Sequence, residues 1–353
     1  MVHITLLVST LLSFIRHHKR SLITVSFLLL FVFSALRYGF GNDYFSYLNI
    51  FNTIKITGWH SYLSSNPLFI LLNKYSPNFQ VFIAITSFIF LFAVYMLIIR
   101  NVDAKYHIFA VGLFLLNPYL FLMQLSSIRQ SLAVAMFILA VFFAIKRKPV
   151  YYVAVIILAS LFHTTAILLL PFYFLINDKK PTRVFLIVFV VIVALLTLSP
   201  VSYDWFIGLF EEFLMKNRYD RYLTGSGNSL NATLVALMYF LYGLININKL
   251  EGKSVAFGKL YLLSSAVSIL AYRISLFVRI GIYFDIFSIV AVPLIIAANV
   301  KKEKDGLLRA FNIYIIPALI FGTFLIKYYN FFFVDTTWIG FQTYKMNFTG
   351  LFT

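Results

Sequence analysis

Arginines recur in this chain beside tyrosine, glycine and glutamine. Arg37 opens the run Arg37-Tyr38-Gly39-Phe40-Gly41-Asn42-Asp43-Tyr44, with Tyr47 following. Arg129 lies in Ile128-Arg129-Gln130, and Arg273 and Arg279 precede Tyr283 and Phe284. A guanidinium is a planar fork that grips phosphate or carboxylate oxygens in pairs and stays charged when desolvated. A helix end carrying two glycines, an arginine and an aspartate can fold back and offer backbone donors to an anion; the plainer reading is a capped turn in an aromatic belt. His163 is the one histidine well inside an apolar run, beside Ser160, Thr164 and Thr165. It could accept a proton near neutral pH, or it could satisfy backbone carbonyls where a helix breaks. Asp43 is the second candidate base. The chemistry these types support is anion binding coupled to proton transfer. The sequence carries no metal-ligand cluster, P-loop or nucleophile elbow, and no metal or cofactor is expected.

The elements that position these residues must be membrane helices. Of 353 residues, 61% are apolar and 12% charged, against roughly a quarter charged in soluble domains. The run Phe79–Ile99 carries no charge, over about the 20 residues a helix needs to cross a bilayer. Only helices and closed barrels satisfy their backbone in lipid, and the runs lack the alternation of barrel strands. With no cysteine in the chain, disulfides and thiolate metal sites are excluded. The apolar stretch Ile4–Ile15 lacks a small-residue cleavage site and reads as a first anchor rather than a removed signal. The net charge of +17 is scattered between apolar runs, which argues for topology-setting loops and against nucleic acid as a partner.

Apolar segments are expected near 4–15, 21–36, 79–99, 106–123, 126–145, 150–176, 184–199, 230–247, 256–273, 280–299 and 310–326. Basic clusters fall at Arg16–Arg20, Arg100–Lys105, Lys146–Lys148, Lys179–Arg183, Lys249–Lys259 and Lys301–Arg309, and hold 18 of the 29 Lys and Arg residues. The positive-inside rule puts all six in the cytoplasm. Segment 150–176 then has cytoplasmic clusters on both sides, so it must enter and return, as two half-length helices turning at Ser160–Thr164. The fold class is therefore all-α: a polytopic membrane helix bundle of about 12 membrane-embedded segments including that re-entrant or broken pair. The whole chain, 1–353, reads as one integral membrane domain, both termini outside, with long outer loops at 37–78 and 200–228. The first loop includes a short apolar piece, Pro67–Leu72, lying in the interface. Of the 11 remaining cations six are arginine, namely Arg37, Arg129, Arg218, Arg221, Arg273 and Arg279. All fall at or near the outer mouth, where a charge at membrane depth costs about 2.5–3.5 kcal/mol and marks a functional candidate. The alternative is that they snorkel to headgroups or pair with Asp43, Asp220 and Asp285.

Four motifs in order resemble the EpsG/Wzy-like family of bacterial surface-polysaccharide polymerases. They are Arg37-Tyr38-Gly39-x-Gly41-x-Asp43-Tyr44-x-x-Tyr47, Ile128-Arg129-Gln130-x-Leu132-Ala133, Ala159-Ser160-x-Phe162-His163-x-x-Ala166 and Arg279-x-x-x-Tyr283-Phe284. The resemblance runs from about residue 20 to about residue 300; the stretch after Lys327 has no counterpart in it, and the first segment is unusually short.

The resemblance implies a glycosyltransferase of the inner membrane that joins oligosaccharide repeat units carried on undecaprenyl pyrophosphate, on the periplasmic side, to build O-antigen, capsule or exopolysaccharide. Its partners would be that lipid-linked oligosaccharide as donor and acceptor, membrane lipid, and a chain-length regulator protein. Under this reading Arg129 and Arg279, with Arg37 and Arg273, hold the pyrophosphates and neutralise the departing diphosphate, without metal. His163 or Asp43 takes the proton of the attacking hydroxyl, and His163 is the preferred base, with Asp43 orienting Arg37 or the acceptor sugar. Tyr44, Tyr47 and Trp205 are sugar-stacking candidates, and Gln130 and Tyr283 complete the substrate contacts. The rival readings are a flippase for the same lipid, although no internal duplication is seen, an enzyme adding single sugars from a polyprenyl phosphate, and a membrane O-acetyltransferase.

Overall fold

Runs of Phe, Leu, Ile and Val without charge satisfy their backbone internally, and in the computed structural model those among the described residues form helices, beside one two-stranded sheet among the described residues. The structure describes residues 2–12, 19–57, 66–177, 208, 228–272 and 275–347. Expected segment 184–199, all of the loop 200–228 except residues 208 and 228, Arg273, Trp205, Arg218 and Arg221 lie outside the described residues. The chain divides into two compact units, one of residues 1–177 and 321–353, the other of residues 178–320.

The first unit contains α1 (Val2–Leu12), α2 (Lys19–Ala35), β1 (Arg37–Tyr38), α3 (Tyr44–Thr57), α4 (Pro67–Tyr75), α5 (Phe79–Asn101), α6 (His107–Leu116), α7 (Leu122–Ser126), α8 (Ile128–Ile145), α9 (Pro149–Phe162) and α10 (Phe172–Asn177). The expected loop 37–78 is thus largely helical. Tyr44, Tyr47, Phe51 and Ile54 are its buried face, at a spacing that reads as helix once the flanking glycines are set aside. Lys55 Nζ donates to the carbonyls of Lys74 (2.8 Å) and Ser76 (2.7 Å), closing the end of α4 against α3.

The fold-back within 150–176 is present. Helix α9 runs 14 residues, a rise of about 21 Å, and stops where His163 adopts an extended backbone (φ −152°, ψ 114°). The return arm is 3₁₀ over Thr164–Leu169 and α-helical only from Phe172, with Pro171, which has no N–H to donate, at the join. It comes back far enough for the Tyr152 hydroxyl to donate to the carbonyl of Leu169 at 2.6 Å and for the Tyr152 and Tyr173 rings to meet at 5.3 Å.

This unit has two chemically different ends. The Arg100 guanidinium lies 5.7 Å from the Phe142 ring, so the clusters at Arg100 and Lys146 share one end. The starts of α5 and α8 and the turn at His163 share the other. The tail returns to that second end, where β2 (Lys345–Met346) pairs antiparallel with β1, Arg37 opposite Met346 and Tyr38 opposite Lys345.

The second unit holds α11 (Leu230–Asn246), α12 (Ser254–Leu270), α13 (Leu276–Asp285) and α14 (Ser288–Lys302); helix α15 (Gly306–Val334) begins in it and ends in the first. A Cβ on Gly243 would lie 2.9 Å from Leu262, and one on Gly258 2.5 Å from Leu250, so glycine lets α11 and the turn after it approach α12 closely. Asn299 Nδ2 donates to Asn246 Oδ1 (2.9 Å) and Asn246 Nδ2 to Asn312 Oδ1 (3.0 Å), tying three buried helix positions together. Lys249 adds a bond to Asn299 (2.8 Å) and an ion pair with Glu303, and Lys302 pairs with Glu251.

Among the described residues, Phe79–Asn101, Ile128–Ile145, Leu230–Lys249 and Gly306–Val334 are long and apolar enough to cross a membrane. A fifth span would be α13 with α14, bent by 52°. The shorter apolar helices 21–35, 104–116, 149–162 and 254–270 coincide with expected segments.

Candidate functional site

The site begins at a break. Between α7 and α8 the backbone of Ser127 leaves the helical region (φ −93°, ψ 55°), and a new helix starts with Arg129 in its first turn. The Arg129 guanidinium is half-buried, 5.6 Å from the Phe69 ring centroid and 5.9 Å from that of Tyr47, within cation–π range. Below these rings Tyr44, Phe51, Phe79, Phe82, Ile83, Ile128 and Leu132 form a closed core, so the cation rests on an apolar floor.

Asn66 joins this cation to the His163 turn. With its amide oriented so that Nδ2 donates to the carbonyl of Phe162 (3.2 Å), Oδ1 accepts from Arg129 Nη1 at 3.3 Å. The Thr164 hydroxyl lies 3.5 Å from the same amide. Asn66 sits in the left-handed region (φ 60°, ψ 60°) as the residue before Pro67, the first residue of α4. Asparagine tolerates that conformation better than most side chains. His163 Nε2 is shielded from solvent. Arg129, Tyr47 and the His163 turn, far apart in sequence, therefore converge at one end of the first unit.

Arg37 lies at the same end but is enclosed. It is 1% exposed, with Nη1 donating to the Ser34 carbonyl (2.8 Å) and Ser87 Oγ (3.0 Å) and Nη2 to the Leu125 carbonyl (3.0 Å). All its acceptors are neutral, and burial pushes its pKa down to about 10. Direct grip on a ligand, the role expected of Arg37, would require this fork to be vacated. In the structure it fastens the end of α2 to α5 and to the short helix α7 that precedes α8. Asp43 is exposed and its backbone N–H donates to Ser126 Oγ at 3.0 Å; among the described residues its carboxylate forms no ion pair with Arg37. The expected Asp43–Arg37 orientation contact is replaced by the neutral acceptors of Arg37.

Tyr44 (3% exposed) and Tyr47 (6%) belong to the core, so their rings support the site from below and are not open stacking faces. Burial raises both hydroxyl pKa values, opposed by Arg37 at Tyr44 and by Arg129 at Tyr47. Gln130 is buried next to Arg129. In the second unit, half-buried Arg279 precedes fully buried Tyr283 by one helical turn on α13. Ser264 Oγ donates to Asp285 Oδ1 at 2.5 Å, beside the 52° bend. Among the described residues no three His, Asp or Glu side chains converge as a metal cradle.

Asn66, Phe69, Leu125 and Ser126 were not singled out by sequence reasoning. The pair Asn66-Pro67 carried the one usable signal, because asparagine before proline favours a turn.

The family model describing the EpsG family matches residues 20–346. The chain belongs to the EpsG family. No curated relative and no solved structure matches it. The EpsG match extends into the stretch after Lys327 that had no counterpart among the four motifs, and ends at Met346, the last residue of β2. The tail that pairs with Arg37 and Tyr38 thus falls within the region matched by the EpsG family. An EpsG-family chain is a polysaccharide-polymerase-type membrane protein, which is the broad activity this site has to serve.

Proposed function

We propose that this protein is a polysaccharide polymerase that joins undecaprenyl-pyrophosphate-linked oligosaccharide repeat units on the periplasmic face of the bacterial inner membrane. The observation that carries the reading is the Arg129 guanidinium on its aromatic floor, tied through Asn66 to the His163 turn at one end of a membrane bundle. A cation there meets a pyrophosphate whose isoprenoid tail remains in the bilayer.

The acceptor sugar's hydroxyl oxygen attacks the anomeric carbon of the donor chain, forming the new C–O bond. The bond from that carbon to the carrier pyrophosphate breaks, and its electron pair leaves on the pyrophosphate oxygen. Arg129 stabilises the charge as it develops, which is what a fixed cation in a water-poor site does best. Arg37 acts at one remove: with only neutral partners its charge is uncompensated, and its field adds to that of Arg129 across the Leu125–Ser127 break. His163 takes the hydroxyl proton, and Asp43, exposed at the mouth, holds the acceptor sugar. Arg279 and Arg273 are the cations that would serve the second pyrophosphate. The full chain would embed about 12 segments, both termini outside.

A strain lacking the protein should still export a single lipid-linked repeat and lack long polymer. Repeat units trapped on the cytoplasmic leaflet would instead identify a flippase and end this proposal.

A further inference from the structure

The tail after α15 crosses back over the Arg37 loop. Gly41 N–H donates to the Gly340 carbonyl at 2.8 Å, Gly340 N–H donates to Asn42 Oδ1 at 3.1 Å, and Asn42 Nδ2 donates to the Thr337 carbonyl at 2.6 Å. Further along, Tyr344 stacks on Phe33 at 4.3 Å with its hydroxyl donating to the Phe33 carbonyl (2.6 Å), and Asn347 N–H donates to the Leu36 carbonyl (2.9 Å). Phe40 is fully buried and edge-on to Phe341 (5.1 Å) and Tyr344 (5.3 Å).

The other side of the same loop rests on the α7–α8 break. Gly41 has φ +113°, a backbone that favours glycine, and a Cβ there would be in ordinary van der Waals contact, 3.6 Å, with the Leu125 carbonyl and the Ser126 backbone. Asp43 N–H binds Ser126 Oγ (3.0 Å) and Arg37 binds the Leu125 carbonyl (3.0 Å). The layers are therefore tail, loop, break, and then Arg129 three residues beyond Ser126.

We infer that the C-terminal strap, residues 335–347, is a clamp that sets the position of Arg129 by pressing the Gly39–Asp43 loop onto the Leu125–Ser127 break. Asn42 and Gly340 are its positioning residues. The inference rests on the reading of Arg129 as the pyrophosphate-binding cation. Gly340 is where the clamp is tightest: a Cβ there would stand 2.8 Å from Asn42 N and 2.9 Å from its Cα, so G340A must lift the strap from the loop.

Because the chain has no cysteine, single introduced thiols report locally. In purified full-length protein in detergent, G340A should raise maleimide labelling of Ser127→Cys several-fold while leaving Lys304→Cys, in the second unit, unchanged. Its polymerisation rate should fall about tenfold to a hundredfold, the scale of a misplacement near 1 Å, with the protein still in the membrane. Labelling and rate both at wild-type level would overturn the clamp. Equal increases at both thiols would mean general loosening and would overturn it too. Facing residues in neighbouring antiparallel strands lie about 4.5–5.5 Å apart at Cα, within disulfide reach, so Tyr38→Cys with Lys345→Cys can lock the strap should G340A fail to fold. The locked protein should turn over as the reduced form does. A reversible loss on oxidation would show that the strap must leave during turnover, which contradicts a static clamp. The labelling contrast needs no substrate, so it decides the inference even if the wild-type protein proves to polymerise nothing.

Discussion

Arg129 Nη1 donates to Asn66 Oδ1 at 3.3 Å while the other side of that amide holds the carbonyl of Phe162, the last residue of α9. One amide thereby fixes the distance between the cation and the turn that carries His163. The left-handed backbone of Asn66 costs on the order of 1–3 kcal/mol for a non-glycine residue. It is retained where a side chain with both a donor and an acceptor is needed at a fixed place.

Substituting Asn66 separates these contributions. N66G keeps the left-handed turn and loses both amide bonds, so polymer synthesis should drop about tenfold or more with thermal stability near wild type. N66A should lose the same activity and, in addition, melt earlier. A fully active N66G variant would remove the bridge from the mechanism.

Arg129 tests the fork against the charge. R129K keeps a cation but loses paired donation and the guanidinium's position over Tyr47 and Phe69. A bidentate role predicts about a 100-fold loss of turnover in R129K, with R129A at least as low, at unchanged membrane levels. Wild-type polymer length in both would leave Arg129 a structural cation.

The parts of this arrangement that were legible in the sequence are those set by one-dimensional rules. Uncharged runs gave helices, and basic clusters gave a consistent far end in the first unit, where Arg100 meets Phe142. The turn at His163 followed from basic clusters on both sides of one short segment, read by the positive-inside rule. What was not legible depends on contacts between distant segments. Tyr44 and Tyr47 read as stacking surfaces because aromatic residues near a membrane end are equally at home in a belt or in a core; here Phe79 of α5 packs on Tyr44 and Phe69 of α4 on Tyr47. Arg37 read as a ligand-binding fork because its neutral acceptors, Ser87 and the Leu125 carbonyl, come from segments far along the chain. The strap was invisible for the same reason: nothing in the sequence of Gly340 announces that Asn42 will lie against it.

Acidity should act on the second unit at the Lys249–Glu303 and Lys302–Glu251 pairs. Hydrogen bonds from Lys249 and Lys302 hold the two glutamates below their ordinary 4.5. A depressed carboxylate pKa supports the fold above the ordinary value and ceases to as pH falls through the lowered one. The melting temperature should therefore be flat from pH 7 to about 5 and decline below 4.5, and E303Q should flatten the decline. An unchanged acid limb in E303Q would place the sensitivity elsewhere.

Sidedness can be read with reporter fusions. Sites near Asn66 and after Ser199 should report the outer side, and sites after Lys148 and Lys302 the cytoplasm. Within the first unit Asn66 and Lys148 already lie at opposite ends of α9. An external location for 177–183 would invert the assignment and move the Arg129 end to the cytoplasm.

The proton acceptor separates the roles of His163 and Asp43. A sugar hydroxyl attacking an anomeric carbon must lose its proton, and the base has to lie beside the pyrophosphate. His163 stands in the turn that Asn66 ties to Arg129, whereas Asp43 is exposed on the loop held by Ser126. Position thus favours His163 for the proton and Asp43 for the acceptor sugar. With lipid-linked repeat units and purified enzyme, H163A should lower turnover about 100-fold or more and flatten its pH dependence, with little change in KM. D43N should raise KM for the acceptor and leave the pH profile in place. An inactive D43N beside a normal H163A would exchange the two roles. If both variants polymerise normally, no protein base is needed, and the reaction is driven by departure of the pyrophosphate under Arg129 alone.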